Sequence, residues 1–313
     1  MKKQNRLARL MINEDYKYKR VRMRAKVLLV VLILFTLLYA EEPTVEQHNI
    51  PYKGEKELDV NIEFGFGRLD LMSGKTNDYI LESEMSYLSR RYKPVIKYKK
   101  LGGVGKLNLY TKKFEKGSFF GLNKKDRGRS GDIEKSHWEL KFNRTLPSAF
   151  DIDLGLGKGN LDFTDLRVND LSLECGMSDV TVEFRRENEE IIRSFSIESG
   201  LGSVEADGLG YANIARLDVE CGLGSANLRF NGDLQQNIKG EVTVGLGSVE
   251  ISIPKNVGVE IEAEKSFLSS LNLDNFDEID EDIYRSENWK EAHRKIYLVI
   301  EIGLGSVDID WID

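Results

Sequence analysis

Apolar and polar residues alternate one by one along much of the chain after residue 57, and many of these alternating runs end at a glycine. Before one such glycine, apolar side chains occupy every second position at Leu217, Val219 and Cys221. After another, the alternation resumes at Val249 and Ile251. A period of two predicts β-strands that are buried on one face. Because no stretch of this region has helical spacing of its apolar residues, the pattern predicts an all-β fold.

The glycines recur at nearly regular intervals. Four GLGS tetrapeptides begin at Gly200, Gly222, Gly245 and Gly303, and weaker versions begin at Gly65, Gly155 and Gly176. From Gly155 onwards the first glycines follow at intervals of 21, 24, 22 and 23 residues, and then 58 residues separate the last pair. A period in the low twenties predicts a β-solenoid, a β-helix-like stack in which each repeat forms one coil.

Each glycine motif is predicted to bend the chain between two strands of a coil. The inward positions on either side of the motif are five residues apart, an odd step that a regular strand cannot make. Glycine permits such a bend or bulge because it tolerates a positive φ. We therefore predict a structural turn role for Gly65, Gly67, Gly155, Gly157, Gly176, Gly200, Gly202, Gly222, Gly224, Gly245, Gly247, Gly303 and Gly305.

The first 40 residues have a different pattern. Residues 1–26 carry ten basic and two acidic side chains, and residues 27–40 form an uninterrupted apolar run. As a helix this run spans about 21 Å, less than the ~30 Å of a hydrocarbon core, and it suits a transmembrane signal anchor or a secretory signal. We favour the anchor because the leader is long and Leu38-Tyr39-Ala40 is an imperfect cleavage site. Cleavage after Ala40 is the alternative.

These patterns predict a location and a division of the chain. The basic N-terminus indicates a single pass through a cell membrane, with the N-terminus cytoplasmic and the C-terminal domain extracytoplasmic. The predicted segments are a basic cytoplasmic tail over 1–26, the transmembrane anchor over 27–40, a linker over 41–56, an N-terminal β-region over 57–136 with a basic loop at 111–136, and a β-solenoid over 137–313 with an acidic insertion at 264–295.

Charge and cysteine content exclude several functions. Without residues 1–26 the chain retains 35 basic and 50 acidic residues, a net charge of −15, which is unsuited to nucleic acid. Two cysteines are too few for a cysteine-only zinc site. Cys175 and Cys221 occupy the same place in their coils, with Ser199 in the coil between them. Two coils separate them by ~9.6 Å, beyond the ~7 Å of a disulfide, so we expect two free inward thiols.

No motif indicates catalysis, a cofactor or a metal. Gly200–Glu205 lacks the third glycine of a dinucleotide site and continues as a strand, and GLGS is not a nucleophile elbow. Glu174, Glu198 and Glu220, with Glu301 later, share one outward position. These acids are expected to be solvated, although stacked acids could also share a cation or serve a polysaccharide-cleaving solenoid. We expect that the protein is not an enzyme.

The repeated motifs resemble a known family. An N-terminal apolar segment followed by Gly-x-Gly coils is similar to the bacterial toast-rack and adhesin-like β-repeat domains, and to the C-terminal domain of cell-wall-active antibiotic response proteins. The resemblance extends from Glu57 to Asp313 and is most specific over FDIDLGLGKGNLDF, ECGLGSANLRF and KIYLVIEIGLGSVDIDWI. It implies a membrane-associated, non-enzymatic module for extracytoplasmic sensing or scaffolding, linked to envelope stress.

Two functions are consistent with these observations. The first is a scaffolding or envelope-stress-sensing module that engages an envelope protein through an outward face at Glu205, Asn227, Glu250 and Asp308. The alternative is an adhesin-like protein that binds cell-wall or surface polysaccharide through the basic loop 111–136. That loop is expected to be a surface loop, or else a basic patch that meets anionic envelope polymer or lipid.

Overall fold

The computed structural model describes residues 42–88, 92–113, 135–265 and 269–313. The predicted tail and anchor, and residues 114–134 of the basic loop, lie outside the described residues. Within the described ranges, no helix is both long enough and apolar enough to cross a membrane. The described part is all-β, as expected.

Twenty strands and one short 3₁₀ helix make up the described residues. The strands are β1 (Thr44–Pro51), β2 (Glu57–Ser73), β3 (Tyr79–Tyr87), β4 (Tyr92–Leu101), β5 (Val104–Lys113), β6 (His137–Phe142), β7 (Pro147–Asp162), β8 (Arg167–Glu183), β9 (Phe195–Ser199), β10 (Ser203–Asp207), β11 (Arg216–Cys221), β12 (Ser225–Arg229), β13 (Ile238–Val244), β14 (Ser248–Pro254), β15 (Val257–Lys265), β16 (Ser270–Leu273), β17 (Phe276–Asp280), β18 (Ile283–Ser286), β19 (Arg294–Ile302) and β20 (Ser306–Ile312), and the 3₁₀ helix is Glu287–Lys290.

These strands form one sheet that divides at the glycine turns into two ladders. The first layer has the order β4-β5-β2-β7-β8-β9-β11-β13-β19-β15-β18-β17. The second layer has the order β1-β3-β6-β2-β7-β8-β10-β12-β14-β20-β16. β2, β7 and β8 pass through the turn and belong to both layers. Pairing is parallel between coils and antiparallel only near the ends of the layers.

One continuous core fills the space inside the coils. The alternating residues that the sequence places inward are buried, as Leu217, Val219 and Cys221 are. On one side, phenylalanine rings form a continuous row: the centroids of Phe142, Phe150, Phe163 and Phe184 follow one another at 5.1, 5.3 and 5.5 Å, with the first two pairs edge to face and the last pair stacked between two coils. Burial of each such ring contributes about 1.5–3 kcal/mol, so the stack is stabilised by contacts between consecutive coils.

The loops between coils are connected by buried amide side chains. The Asn188 Nδ2 donates to the carbonyl oxygens of Val168 at 2.7 Å, Glu190 at 2.8 Å and Ala212 at 3.2 Å. Its Oδ1 accepts from the Val168 backbone N–H at 3.0 Å. Asn188 therefore supplies hydrogen-bond partners for backbone groups of three segments.

The last strands of the chain are not the last strands of the stack. β19 lies between β13 and β15, and β20 lies between β14 and β16. The 58-residue interval therefore contains a further coil, and the expected insertion at 264–295 includes β16, β17, β18 and the 3₁₀ helix. This coil has no Gly-Leu-Gly motif, so the repeat by itself does not reveal it.

The expected linker over 41–56 also contains a strand. β1 pairs antiparallel with β3 from Thr44 to Pro51 and lies at the end of the second layer. Apart from Val45 and Pro51, its exposed side chains are polar. With so little apolar alternation, this edge strand has no pattern that would distinguish it from a linker.

Candidate interaction surface

The backbone ladder continues through the glycine turns. The Leu223 N–H donates to the Gly200 carbonyl at 2.8 Å, and the Leu246 N–H donates to the Gly222 carbonyl at 2.8 Å. Each turn therefore lies directly over the turn of the preceding coil. The same residue of each motif falls in one column, so a side chain repeated in the sequence becomes a row on the surface.

Two different constraints require glycine at these turns. Gly67 and Gly157 have positive φ values of 119° and 136°, as the sequence analysis expected. At the other predicted turn glycines, all of them within the described residues, φ lies outside the left-handed region. At most of them the constraint is space: a Cβ on Gly224 would lie 2.0 Å from the Gly202 carbonyl oxygen, whereas a Cβ on Gly65 would meet no atom of the described residues within 4 Å. The positive-φ explanation is thus correct only for the first two coils.

The structure brings the four predicted interaction residues into one column on the second layer. Glu205 is in register with Asn227, Asn227 with Glu250, and Glu250 with Asp308. Neighbours in such a column are about 4.8 Å apart. The Asn227 Nδ2 donates to the Glu250 Oε2 at 3.4 Å, which partly orders the column. We call these four residues the polar column.

The polar column ends at a shallow recess. Its walls are Glu250, Asn272, Asp274, Asp308, Ile309 and Asp310. Beside the recess, the Trp311 Nε1 donates to the Asp274 carbonyl oxygen at 2.8 Å. The Trp311 ring stacks on Phe276 with centroids 5.6 Å apart. The recess therefore combines hydrogen-bonding groups with a nearby aromatic pair.

A second column of acids runs along the first layer. It contains Glu63, Asp153, Glu174, Glu198 and Glu220, and it continues past Thr243 to Glu301 and Glu264. We call these seven acids the acidic column. All seven are exposed. In the described part of the chain, no lysine or arginine forms an ion pair with Glu174, Glu198, Glu220 or Glu301.

Large apolar side chains project from the turns, a feature that the sequence analysis missed. They are Leu156, Met177, Leu201, Leu223, Leu246 and Leu304, with 38–57% of each residue exposed. We call this row the leucine ridge. The signal was present in the sequence, because the residue between the two glycines of every GLGS motif is leucine. An outward leucine repeated in stacked coils produces a continuous apolar row.

The two cysteines are free and buried, as predicted. Cys175 and Cys221 are each in register with Ser199, which lies between them. Burial raises the pKa of the Cys175 thiol to about 12. Burial also raises the pKa of the Cys221 thiol. Both residues therefore act as small apolar core residues and not as nucleophiles.

One carboxylate of the second layer is largely buried among polar partners. The Asp70 carboxylate accepts from the Arg68 Nε at 2.9 and 3.0 Å, contacts the His137 Nε2 at 2.7 Å and accepts from the Asn160 amide. Burial alone would raise the pKa of Asp70, but the hydrogen bonds from Asn160, Arg68 and His137 outweigh it and lower the pKa. This cluster joins β2, β6 and β7.

The stacked coils, the glycine turns and the repeated outward columns define a parallel β-repeat protein. Residues 39–207, more than half of the chain, match the family model described as the N-terminal domain of toast_rack, DUF2154. The chain therefore belongs to the toast-rack family. No curated protein matches it.

Solved structures with a similar course of the chain come from three bacteria. A candidate cell adhesion protein from Clostridium sporogenes is 21% identical, covers 87% of this chain and 100% of its own, and has a TM-score of 0.45. A candidate adhesin from Bacteroides fragilis is 10% identical, with coverages of 86% and 98% and a TM-score of 0.39. A candidate lipid-binding protein from Parabacteroides distasonis is 11% identical, with coverages of 86% and 97% and a TM-score of 0.29. Likenesses at this level say nothing about what this chain binds.

Proposed function

We propose that this toast-rack protein is a non-enzymatic interaction and scaffolding module that engages an envelope protein outside the bacterial cell membrane, to which residues 27–40 anchor it. The observation that carries the proposal is the polar column, in which Glu205, Asn227, Glu250 and Asp308 lie in consecutive register. A role in envelope-stress sensing follows from the family resemblance and is part of the proposal.

The column suits recognition because little of it must become ordered on binding. Its backbone is held in the ladders on both sides, and the Asn227–Glu250 hydrogen bond limits the freedom of two of its side chains. Association is weakened by the entropy of ordering loops and long side chains, so a preformed surface retains more of the contact energy.

Photo-crosslinking in cells tests this proposal. A photoreactive residue replaces Glu205, Asn227 or Glu250, and Glu241 on the exposed face of the first layer serves as the matched control position. We expect discrete protein adducts from the three column positions and none from the control. A heterogeneous carbohydrate smear, or equal labelling from Glu241, would contradict the proposal.

The anchor is tested separately by the mass of the protein recovered from cells. An anchored protein retains residues 1–40 and remains with the membrane fraction. A mature protein whose mass begins at Glu41, found in the medium, would contradict the anchor without affecting the polar column.

The recess at the end of the polar column favours polysaccharide binding as a second candidate function. Carboxylates and an amide lie there beside the stacked Trp311 and Phe276, and glycan sites combine such groups. We expect Asn272→Ala with Asp308→Ala to reduce co-sedimentation with isolated cell wall, and Gln235→Ala to leave it unchanged. Deletion of residues 114–134 tests the contribution of the basic loop. Unchanged sedimentation of all variants would contradict this candidate.

A further inference from the structure

The leucine ridge is an exposed apolar surface with regular spacing. Its four GLGS members, Leu201, Leu223, Leu246 and Leu304, are joined rung to rung by the turn hydrogen bonds, and Met177 and Leu156 extend the row at one end. Soluble surfaces commonly expose apolar residues singly, whereas a contiguous row marks a contact site. Six rungs at about 4.8 Å make a row of roughly 24 Å between the first and last side chains.

Carboxylates flank the ridge along its whole length, on both sides at two of its rungs and on one side at the other four. The residue three positions before each ridge residue lies in the register of the acidic column, and the residue four positions after it lies in the register of the polar column. Leu201 thus lies between Glu198 and Glu205, and Leu304 lies between Glu301 and Asp308. At each of the six rungs at least one of these two flanking positions is a carboxylate, and none is a lysine or arginine: the carboxylates are Asp153, Glu174, Glu198, Glu205, Glu220, Glu250, Glu301 and Asp308.

This charge pattern argues against two partners that an apolar row could otherwise attract. A second copy of the chain docked ridge to ridge would place carboxylates against carboxylates. An anionic lipid surface or anionic polymer would meet the same repulsion. A partner with lysine or arginine on both sides of an apolar stripe is complementary to the ridge and its flanks.

The spacing of the ridge favours a helix over an extended segment. One helical turn advances 5.4 Å, close to the ~4.8 Å between rungs, so an apolar stripe stays near its partners over several rungs. In an extended strand, residues on one face recur about every 6.6 Å and lose phase with the rungs after two or three steps. The backbone groups at the turns are also occupied by the ladder, so a strand could not pair there.

We propose that the leucine ridge docks a cationic amphipathic helix of a partner protein. The apolar stripe of that helix covers the ridge, and its lysine and arginine side chains reach down to the acids on both layers, as long basic side chains do beside apolar surface. This inference rests on the proposed function, because it names the partner class of the interaction module. It adds a contact surface next to the polar column.

The test uses the full-length chain in a non-ionic detergent and a fluorescent 18-residue leucine/lysine peptide with leucine at helical spacing. Two further probes are a peptide of the same composition with leucine and lysine alternating, and a helical leucine/glutamate peptide. Fluorescence anisotropy measures binding, and protein-free detergent is the blank. We expect the helical cationic peptide to bind at least about 10-fold more tightly than either comparison peptide.

Variants locate the contact. The triple variant Leu201→Ser, Leu223→Ser, Leu246→Ser is expected to weaken binding about 10-fold or more, and so is Glu198→Gln, Glu220→Gln, Glu301→Gln, which also flattens the salt dependence. Val45→Ser, Ile191→Ser, Ile279→Ser removes equally exposed apolar residues elsewhere and is expected to leave the affinity within about 2-fold of the parent. Circular dichroism verifies that each variant is folded.

Several outcomes overturn the inference. One is that the leucine variant binds the helical cationic peptide as tightly as the parent does. Another is that the parent binds the alternating peptide or the glutamate peptide as tightly as the helical cationic peptide. Self-association of the parent chain that the leucine variant abolishes would identify a second copy as the occupant. Binding of anionic vesicles that depends on the same leucines would identify lipid. Protein adducts from the polar column, together with peptide binding that the leucine variant leaves unchanged, would leave the proposed function in place and remove only this inference. If the polar column gives no protein adducts and the parent chain does not bind the helical cationic peptide, both the proposed function and this inference are contradicted.

Discussion

Gly202 lies against the backbone carbonyl of Ser178 in the preceding coil, so closely that a Cβ on Gly202 would be 1.8 Å from that oxygen. The first glycine of the same motif is less constrained, since a Cβ on Gly200 would lie 3.1 Å from the Gly176 carbonyl oxygen. The two glycines of one motif therefore have different roles. The second sets how closely successive coils stack.

We predict that Gly202→Ala lowers the free energy of unfolding by about 1–3 kcal/mol or more, because the contact is with backbone that cannot move alone. Gly200→Ala is the matched control and is expected to change it by less than about 1 kcal/mol, since a small shift accommodates the methyl group and alanine reduces the freedom of the unfolded chain. Urea unfolding followed by circular dichroism compares the midpoints. Equal midpoints for the two variants would show that stacking distance does not require glycine.

Asn188→Ala is predicted to destabilise the protein by about 1–3 kcal/mol for each backbone group left without a partner. The Val168 N–H and carbonyl both lose their hydrogen bonds to the Asn188 amide. Gln235→Ala is the control, because its exposed amide donates only to the nearby Asp233 carbonyl at 2.9 Å. Thermal unfolding should separate the two variants; the same melting temperature for both would mean that water replaces the Asn188 contacts.

Asp70→Asn is predicted to destabilise the protein at neutral pH, by about 1–3 kcal/mol. Because the pKa of Asp70 is lower in the folded protein than its usual value of 3.8, the stabilisation is fully present above that value. It is lost as the pH falls through the lower folded pKa. The difference between the parent and Asp70→Asn should therefore shrink only below about pH 4.

Urea titrations between pH 7 and pH 2 measure this difference. Asp59→Asn is the control, since Asp59 and its partner Lys106 are both about half exposed, and their ion pair at 3.3 Å is expected to contribute less than about 1 kcal/mol. A parent–variant difference that is constant down to pH 2 would contradict the depressed pKa.

Cys175 and Cys221 are predicted to resist alkylation at pH 8 in the folded protein. Both thiols are buried, and their raised pKa values keep them protonated at that pH. In urea both should react rapidly and in equal amounts, as mass spectrometry would show. Rapid labelling without urea would mean that the coils around Ser199 open readily, and a disulfide-linked species would contradict the spacing.

The local strand pattern was readable from the sequence for a physical reason. A residue that alternates inward, such as Val219, reports burial on one face, and a repeat of constant length puts equivalent residues in one column. The register of Glu205, Asn227 and Glu250 follows directly from their equal places in three motifs. The free cysteines followed from the same reasoning, because coil spacing is a constant of β-structure.

Other features depended on contacts between distant segments. β15 has the same alternating apolar pattern as β13, and alternation does not specify which strand is the neighbour of β19. The edge strand β1 is defined by its pairing with β3 and not by apolar content. The carboxylate of Asp70 has partners on β2, β6 and β7 that no local pattern connects.

The sequence by itself determined the repeating unit: strands with one buried face, glycines at the bends and outward residues that recur in every coil. Only the tertiary structure decided the order of the coils and the constraint at Gly202, because both depend on which backbone lies beside which. It also showed that the leucines of the GLGS motifs point to solvent between the acidic column and the polar column. A residue type at a turn does not reveal its exposure until the neighbouring coils are in place.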